Sequence, residues 1–447
     1  MEKYIKSDSL LQDRLSNGFL LLPFYRNKIL FSLYGSESPK AIEDKKQSAF
    51  KRLRFLFNFS RFYIKNKEIL IFSSTLFDIK TKDGIYFNNL HGFYKNCQPS
   101  KTLLIEDCDA NGKWNAPNED PDVSYIIAPL SFLCKVSAYL FSKFYKGKTI
   151  KADHLKENYP DVLSEREIRY VNCYSIITYK IFKFLFKRLS RLKLILLNCG
   201  SYGAELASII KAAHDVGIKV AEPQHGMIND IHFVYNFEDF TFHCEEYKEY
   251  LPDYLLTFGE FWNTHSYIPV EKVIVGNPYM DKYRKDNDLY NKEKKGILFI
   301  SQPTIRDVFT EIAFGLASKG VNDIKLRLHP FDKLTQEQEF QLLKAGVQIS
   351  NYKAPLYDEL AKASYVIGET STCLYEALGL GGSIMIYENE ETVKMYTGDD
   401  WMFIKTADDI ISNLNNGHHN QKIDPEYYYV NNFSENYNKF LNDYIWK

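Results

Sequence analysis

Long hydrophobic runs are missing from this sequence. No stretch of its 447 residues reaches the roughly 18 uninterrupted apolar residues of a membrane-spanning helix. The opening residues, Met-Glu-Lys-Tyr-Ile-Lys-Ser-Asp, lack the apolar core of a secretory leader. An excess of one charge is missing too. Net charge is −1, so there is no global basic field of the kind that draws nucleic acid. Cysteines are few and scattered: Cys97, Cys108, Cys134, Cys173, Cys199, Cys244 and Cys373, with no two at CxxC spacing. An odd count in a long chain argues against a disulfide framework or a structural zinc site and fits a reducing compartment. No repeat of fixed period and no long low-complexity tract is present. These absences predict a soluble, cytoplasmic protein that does not bind nucleic acid.

What is abundant is aromatic. Phe, Tyr and Trp make up 15% of the chain, with 33 Tyr and 32 Phe. Tyrosines can line a wet cleft, and a biased base composition gives the same excess; both explanations stay open here. The length suits two domains, each large enough to bury a core.

Strand-like apolar runs recur along the chain, each followed by a turn and a helical pattern. In the first half they are Glu68–Phe72, Thr102–Ile105, Leu194–Leu197, Ile218–Ala221, Tyr254–Thr257 and Val273–Val275. Helical patterns cover Ala49–Ile64, Ile126–Tyr145, Ser164–Arg191 and Ala204–Ala213, and Ala110–Asp122 reads as a loop. Ile126–Tyr145 is expected to be a packed helix. The basic, aromatic segment Lys180–Arg191 fits a core helix with solvated cations and also fits a helix lying on an anionic membrane. Gly276-Asn277-Pro278 is turn chemistry at the boundary expected between a domain of residues 1–276 and one of 277–447. Beyond it, strands Gly296–Ile300, Asp323–Leu328, Val347–Ser350, Tyr365–Ile367 and Ser383–Ile386 alternate with helices. Such alternation predicts parallel, doubly wound sheets. The expected fold class is α/β, with two Rossmann-like domains facing across a cleft, their strand C-termini lining it.

Polar residues cluster at strand ends. Glu222-Pro223-Gln224-His225-Gly226 follows one strand; His225, with an unperturbed pKa near 6.5, can take a proton from a hydroxyl, and Glu222 can orient it or act as the base itself. The alternative is that His225 only braces the turn. Ser73-Ser74, Glu106 and Asp107 close two earlier strands. Arg327-Leu328-His329-Pro330 ends a strand whose His329 can bind a phosphate. Thr370-Ser371-Thr372 opens a helix, where unpaired N–H groups attract anions, although Ser371 or Thr372 also suits a plain N-cap. Glu376, one turn on, can accept from ribose hydroxyls. No Asp-x-Asp motif sits at a strand end of the second half, beside the His-Pro and Ser/Thr motifs, so no metal is expected to take part.

His-Gly after a first-half strand, then His-Pro, then a Ser/Thr pair opening a helix, resembles the two-domain GT-B glycosyltransferases of bacterial surface polysaccharides. The last two motifs are similar to those of bacterial sialyltransferases and of transferases using CMP-linked Kdo. The three-part order also resembles the polyol-phosphate transferases that use CDP-glycerol. Gly296–Pro303 and Val275–Pro278 resemble capsule and O-antigen glycosyltransferases. The resemblance covers roughly Leu194–Ile386; before that only Ser73-Ser74 contributes. It implies donor contacts at His329, Ser371, Thr372, Glu376, Gln302 and Glu369, and acceptor-side roles for His225 and Glu222. The acidic Asp/Glu-Asp/Glu-Gly motif of sialyltransferases has no counterpart here.

The expected activity is therefore metal-independent, inverting transfer of a sugar to a surface-polysaccharide or lipid-linked oligosaccharide acceptor. A nucleotide-sugar, CMP-linked sialic acid or Kdo among the options, is the substrate, no cofactor is called for, and contact with the inner face of the cell membrane is the further partner considered. The alternatives are polyol-phosphate transfer from a CDP-polyol and a nucleotide-sugar-binding protein without turnover.

Overall fold

Short apolar runs such as Leu-Ile-Leu-Leu and Ile-Leu-Phe-Ile have no polar face to offer water, so they form strands covered on both sides. The structure, a computed structural model, describes residues 5, 7–33, 60–80, 86–108, 114, 122–146, 149–162, 164–228, 232–287, 293–329, 332–351, 354–396, 401–417 and 424–447. They form two compact units. One comprises Met1–Thr257, His265–Val275 and Ser434–Lys447, the other Phe258–Thr264 and Gly276–Phe433.

The first unit holds a seven-stranded parallel sheet. Its strands are β1 (Ile69–Ser74), β4 (Thr102–Asp107), β5 (Val123–Ser124), β6 (Leu194–Leu197), β7 (Lys219–Pro223), β8 (Tyr254–Thr257) and β9 (Glu271–Ile274), in the order β5-β4-β1-β6-β7-β8-β9. A small antiparallel hairpin, β2 (Asp78–Lys80) and β3 (Tyr86–Asn88), leaves the end of β1. Leu70, Phe72, Ile195, Leu197 and Val220 on the strands meet Phe182, Phe186, Ile209 and Ile210 from the helices Glu165–Lys187 and Glu205–His214. Ser164 caps the longer helix by accepting from the Glu167 N–H at 3.2 Å. The C-terminal segment packs on this unit, with the Tyr437 and Tyr94 rings 4.9 Å apart and Lys101 Nζ 3.6 Å from the Trp446 ring.

The second unit has a six-stranded parallel sheet: β10 (Ile297–Ile300), β11 (Ile324–Arg327), β12 (Gln348–Ser350), β13 (Tyr365–Gly368), β14 (Ser383–Tyr387) and β15 (Met402–Ile404), in the order β12-β11-β10-β13-β14-β15. Within the unit, that is strand order 3-2-1-4-5-6, the order of dinucleotide-binding folds. Phe299, Leu326 and Ile367 carry its core, covered by Phe309, Ala313 and Leu316 of helix Arg306–Ser318. Residues 258–264 join this unit through Trp262, whose indole N–H donates to the Tyr428 carbonyl at 2.6 Å. Gly259 is required there, since a Cβ would lie 2.6 Å from the Tyr427 and Tyr428 carbonyl oxygens.

The fold class is thus α/β with two Rossmann-like halves. Ser164–Arg191 resolves into one helix, Glu165–Lys187, and Lys180–Arg191 takes the core reading: Phe182, Phe186 and Leu189 are buried while Lys180 and Lys187 stay in solvent. The packed-helix expectation for Ile126–Tyr145 holds for one face, where Ile127 and Leu130 meet the sheet's core and Cys134 and Ala138 meet Cys173 and Tyr174, and not for the other. Helix Ile127–Phe144 buries only Ala128, Cys134 and Ala138 and leaves large apolar side chains outside. Most of the helix expected at Ala49–Ile64, most of the loop Ala110–Asp122 and Pro330 lie outside the described residues; Phe62–Ile64 is not helical.

Candidate functional site

Both sheets reverse direction of growth once. In the second unit the reversal falls between β10 and β13, in the first between β1 and β6. Adjacent loops leave such a point in opposite directions and open a crevice at the strand C-termini, where open α/β folds take ligands.

In the second unit, β10 runs into Ser301 and Gln302, and β13 into Glu369, Thr370 and Ser371. Gln302 Oε1 accepts from the Thr370 N–H and hydroxyl, both at 3.4 Å, tying the two loops together. Glu369 accepts from Asn389 Nδ2 at 2.6 Å and from the Thr304 hydroxyl at 3.4 Å, joining three strand ends. Ser371 has extended backbone and caps helix Thr372–Gly379, its hydroxyl accepting from the Cys373 N–H at 3.3 Å. Gly368 lets strand and helix close up, because a Cβ there would stand 3.0 Å from the Leu374 side chain. The plain N-cap role of Ser371 is therefore present, and it leaves the helix's first turn facing the crevice with the dipole's positive end.

His329 follows β11, on the other side of β10 from Ser371. Its loop is clamped by Asp332, whose N–H donates to the His329 carbonyl at 2.9 Å and whose carboxylate accepts from the Ser301 hydroxyl at 2.9 Å and pairs with Arg306 at 3.1 Å. Glu376 accepts from the Tyr357 hydroxyl at 3.1 Å. Enclosure by protein pushes its carboxyl up to about 7, partly offset by the Tyr357 hydrogen bond. Asp332, Arg306, Asn389 and Tyr357 escape sequence reading because each acts through a partner distant in the chain.

In the first unit three imidazoles gather near the C-terminal edge of the sheet, His225 and His232 half-buried and His91 fully buried. Glu222, fully buried, accepts from the Ser201 N–H at 2.8 Å, from the Ser201 hydroxyl, and from the Tyr235 hydroxyl at 2.6 Å. Burial raises its pKa and these three donors oppose the rise. With its oxygens occupied inside the protein, Glu222 ties the turn after β6 to the segment after β7. His225, two residues past β7, is half-buried, with Nε2 3.6 Å from Cys199 Sγ and its ring 6.1 Å from that of Tyr202. Burial, with a smaller contribution from His232, lowers its pKa to about 4. The ordinary value near 6.5 therefore does not apply, and His225 is neutral across the neutral range. His232 Nδ1 donates to the Met227 carbonyl at 3.1 Å and stays neutral for the same reason, burial.

A third imidazole has no counterpart among the expected residues. His91 is fully buried, its Nδ1 is 2.7 Å from the Ser73 hydroxyl, and burial with the nearby His225 lowers its pKa to about 3. Asn88 donates to Ser73 Oγ at 3.0 Å and accepts from the His91 N–H at 2.9 Å. Ser73, at the end of β1, is thereby a fixed part of the crevice wall, and Glu106 lies within 3.4 Å of the same Asn88 amide. The turn after β6 is strained: Cys199, Gly203 and Ala204 have φ of 57°, 72° and 52°. Left-handed backbone at Cys and Ala persists only where the surroundings enforce it, and it gathers at functional sites. Among the described residues no three His, Cys, Asp and Glu side chains converge to hold a metal ion.

No family model and no curated protein matches the chain. Among solved structures it is similar to UDP-GlcNAc 2-epimerase from Neisseria meningitidis bound to UDP-GlcNAc, with 12% identity, 84% of this chain and 99% of that one covered, and a TM-score of 0.46. It is similar also to Phytolacca americana UGT2 complexed with UDP-2-fluoro-glucose and pterostilbene (12% identity, 84% and 98% covered, TM-score 0.43). A third is the S. aureus MnaA–UDP structure (10% identity, 85% and 98% covered, TM-score 0.40).

Proposed function

We propose that this chain is a glycosyltransferase that moves a sugar from a nucleotide-activated donor to a surface-polysaccharide or lipid-linked oligosaccharide acceptor. The observation that carries the reading is the reversal point of the second sheet, where the helix capped by Ser371 begins and Gln302 and Glu369 brace the loops on either side. In this reading Thr372, Ser371 and His329 hold the donor phosphate, and Glu376 faces a ribose hydroxyl.

In the first unit, considered by itself, neutral His225 is a candidate to take a proton from a hydroxyl. In the transfer, the acceptor hydroxyl attacks the anomeric carbon and gives its proton to such a base. A new glycosidic C–O bond forms, the bond to the phosphate oxygen breaks, and the electron pair leaves with the nucleotide. The low pKa of His225 keeps its lone pair available at the expense of basicity. Glu222 serves as a positioning residue, holding the turns on either side of the imidazole. The phosphate's developing charge is met by the helix N-terminus and His329.

The test is release of nucleotide. Wild-type protein is incubated with CMP-, UDP- and GDP-sugars and with CDP-glycerol, with and without a lipid-linked oligosaccharide extract. Extract-dependent release of one nucleotide from its sugar is the expected result. Release of CMP from CDP-glycerol turns the assignment to polyol-phosphate transfer, and binding without release turns it to a non-catalytic binding protein.

A further inference from the structure

Helix Ile127–Phe144 is built the wrong way round for a soluble protein. Its small side chains face inward: Cys134 and Ala138 are fully buried against Cys173 and Tyr174 of helix Glu165–Lys187. From Phe132 onward its large ones face outward. Leu133, Leu140, Phe141 and Phe144 are 55%, 51%, 63% and 83% exposed, and Val136 is exposed with them. Positions 133, 136, 140 and 144 recur at helical spacing, so they form one stripe down the outer face. Single exposed apolar residues are ordinary; a continuous row from Leu133 to Phe144 marks an interaction surface.

The charge around the stripe selects the partner. The described residues of the segment 123–152 carry Lys135, Lys143, Lys146 and Lys151, all exposed, and no Asp or Glu. Lys143 lies over the Tyr139 ring with Nζ 4.3 Å from its centre, an aliphatic stem on an aromatic face with the ammonium at the rim. A second copy of this face, meeting it about a two-fold axis, would set lysines against lysines. Anionic lipid offers both things the face needs, acyl chains for the stripe and phosphates for the lysines. No helix among the described residues is long and apolar enough to cross a membrane, so this one would lie in the interface.

We infer that the outer face of helix Ile127–Phe144 docks the protein on an anionic membrane surface. The helix starts at the C-terminal edge of the first unit's sheet, directly after β5, so docking brings lipid to the edge that carries Ser73, Glu106 and His225. The surface is distinct from the one considered in the sequence, Lys180–Arg191, where Phe184 is the one large apolar side chain that is strongly exposed and Arg188 covers it at 3.9 Å. The inference stands apart from the catalytic assignment, because its readout is partitioning alone.

The test is co-sedimentation of the full chain with phosphatidylglycerol/phosphatidylcholine vesicles, against pure phosphatidylcholine, with the double variant Leu140→Asp, Phe141→Asp beside the wild type. Wild type is expected to pellet with the anionic vesicles and to be released between about 0.05 and about 0.5 M salt as the lysines are screened. The variant, whose altered side chains are exposed and whose melting curve should be unchanged, is expected to partition at least about tenfold more weakly. Wild type staying in the supernatant at low salt overturns the inference. So does equal binding by the variant, or a concentration-dependent dimer that the variant abolishes, which would assign the face to a second copy.

Discussion

The Tyr235 hydroxyl donates to Glu222 Oε1 at 2.6 Å, joining the end of β7 to a segment twelve residues beyond that strand's last residue, Pro223. With Ser201 on the other oxygen, the carboxylate is the knot that holds three separate stretches of chain around His225. Glu222→Ala leaves buried donors at Ser201 and Tyr235 without an acceptor and should cost about 2–4 kcal/mol of unfolding free energy. Glu222→Gln keeps the shape and one acceptor, and should cost roughly 1 kcal/mol while lowering turnover less than removal of the imidazole does. Urea denaturation and steady-state rates of the two variants read both effects. A fully stable Glu222→Ala with a turnover loss as large as that of His225→Ala would make Glu222 the base.

The low pKa of His225 has a kinetic consequence. A base that is neutral down to about 4 should give a kcat/KM profile whose acid limb falls near pH 4 instead of near 6.5. His225→Ala should remove that limb and lower turnover about 10²–10⁴-fold. In stability the sign is fixed as well. The folded value lies below the unfolded one, so the unfolded chain binds the proton better, and the stability held above pH 6.5 is lost as pH falls through 6.5 towards 4. An acid limb near 6.5 would place the base elsewhere.

Glu376 acts in the opposite direction. Its folded pKa, about 7, lies above the ordinary 4.5, so the folded protein binds this proton more tightly than the unfolded chain. Its contribution is present below pH 4.5 and is lost as pH rises from 4.5 to 7, by an amount of order 3 kcal/mol. Glu376→Gln should flatten that part of the stability profile, measured as urea midpoints at a series of pH values. An unchanged slope would mean that Glu376 titrates as an exposed carboxyl.

Gly203 sets the strained turn against the helix Leu22–Leu33. At φ +72° a Cβ would stand 2.3 Å from the Pro23 carbonyl oxygen, the atom that also accepts from the Ala204 N–H at 3.0 Å. Gly203→Ala should therefore cost about 2–4 kcal/mol and disturb Cys199 and Ser201 with it. Gly217, at φ +78° with nothing within 4 Å, is the control, and Gly217→Ala should cost only about 1–2 kcal/mol. Equal losses in the two variants would show that the crowding at Pro23 has no effect.

Sequence reading reached the parallel sheets because their strands are buried on both faces, so Leu194–Leu197 and Tyr254–Thr257 stand out as unbroken apolar runs. It reached the strand ends for a related reason: polar residues directly after such runs have only one edge to occupy. His91 was beyond reach, since it sits before a six-residue helix and matters only through Ser73 and His225, which come from other strands. The role of Glu222 was half legible; its place after the strand was plain, while its three donors depend on a turn with left-handed Cys199 that no local preference favours. The outward stripe of helix Ile127–Phe144 was hidden for another reason. Apolar residues surround that helix, and periodicity cannot tell which of two apolar faces will be covered.

In the function proposed here, the second unit holds a donor phosphate between His329 and the first turn of the Ser371-capped helix. Calorimetric titration of wild type and His329→Ala with CMP, CDP, UDP and GDP tests it most directly. One nucleotide should bind the wild type, and the variant should bind it about 10- to 150-fold more weakly, the loss of one charge-assisted contact of roughly 1.5–3 kcal/mol. Unchanged affinity in His329→Ala, or no binding of any of the four by the wild type, would contradict the account.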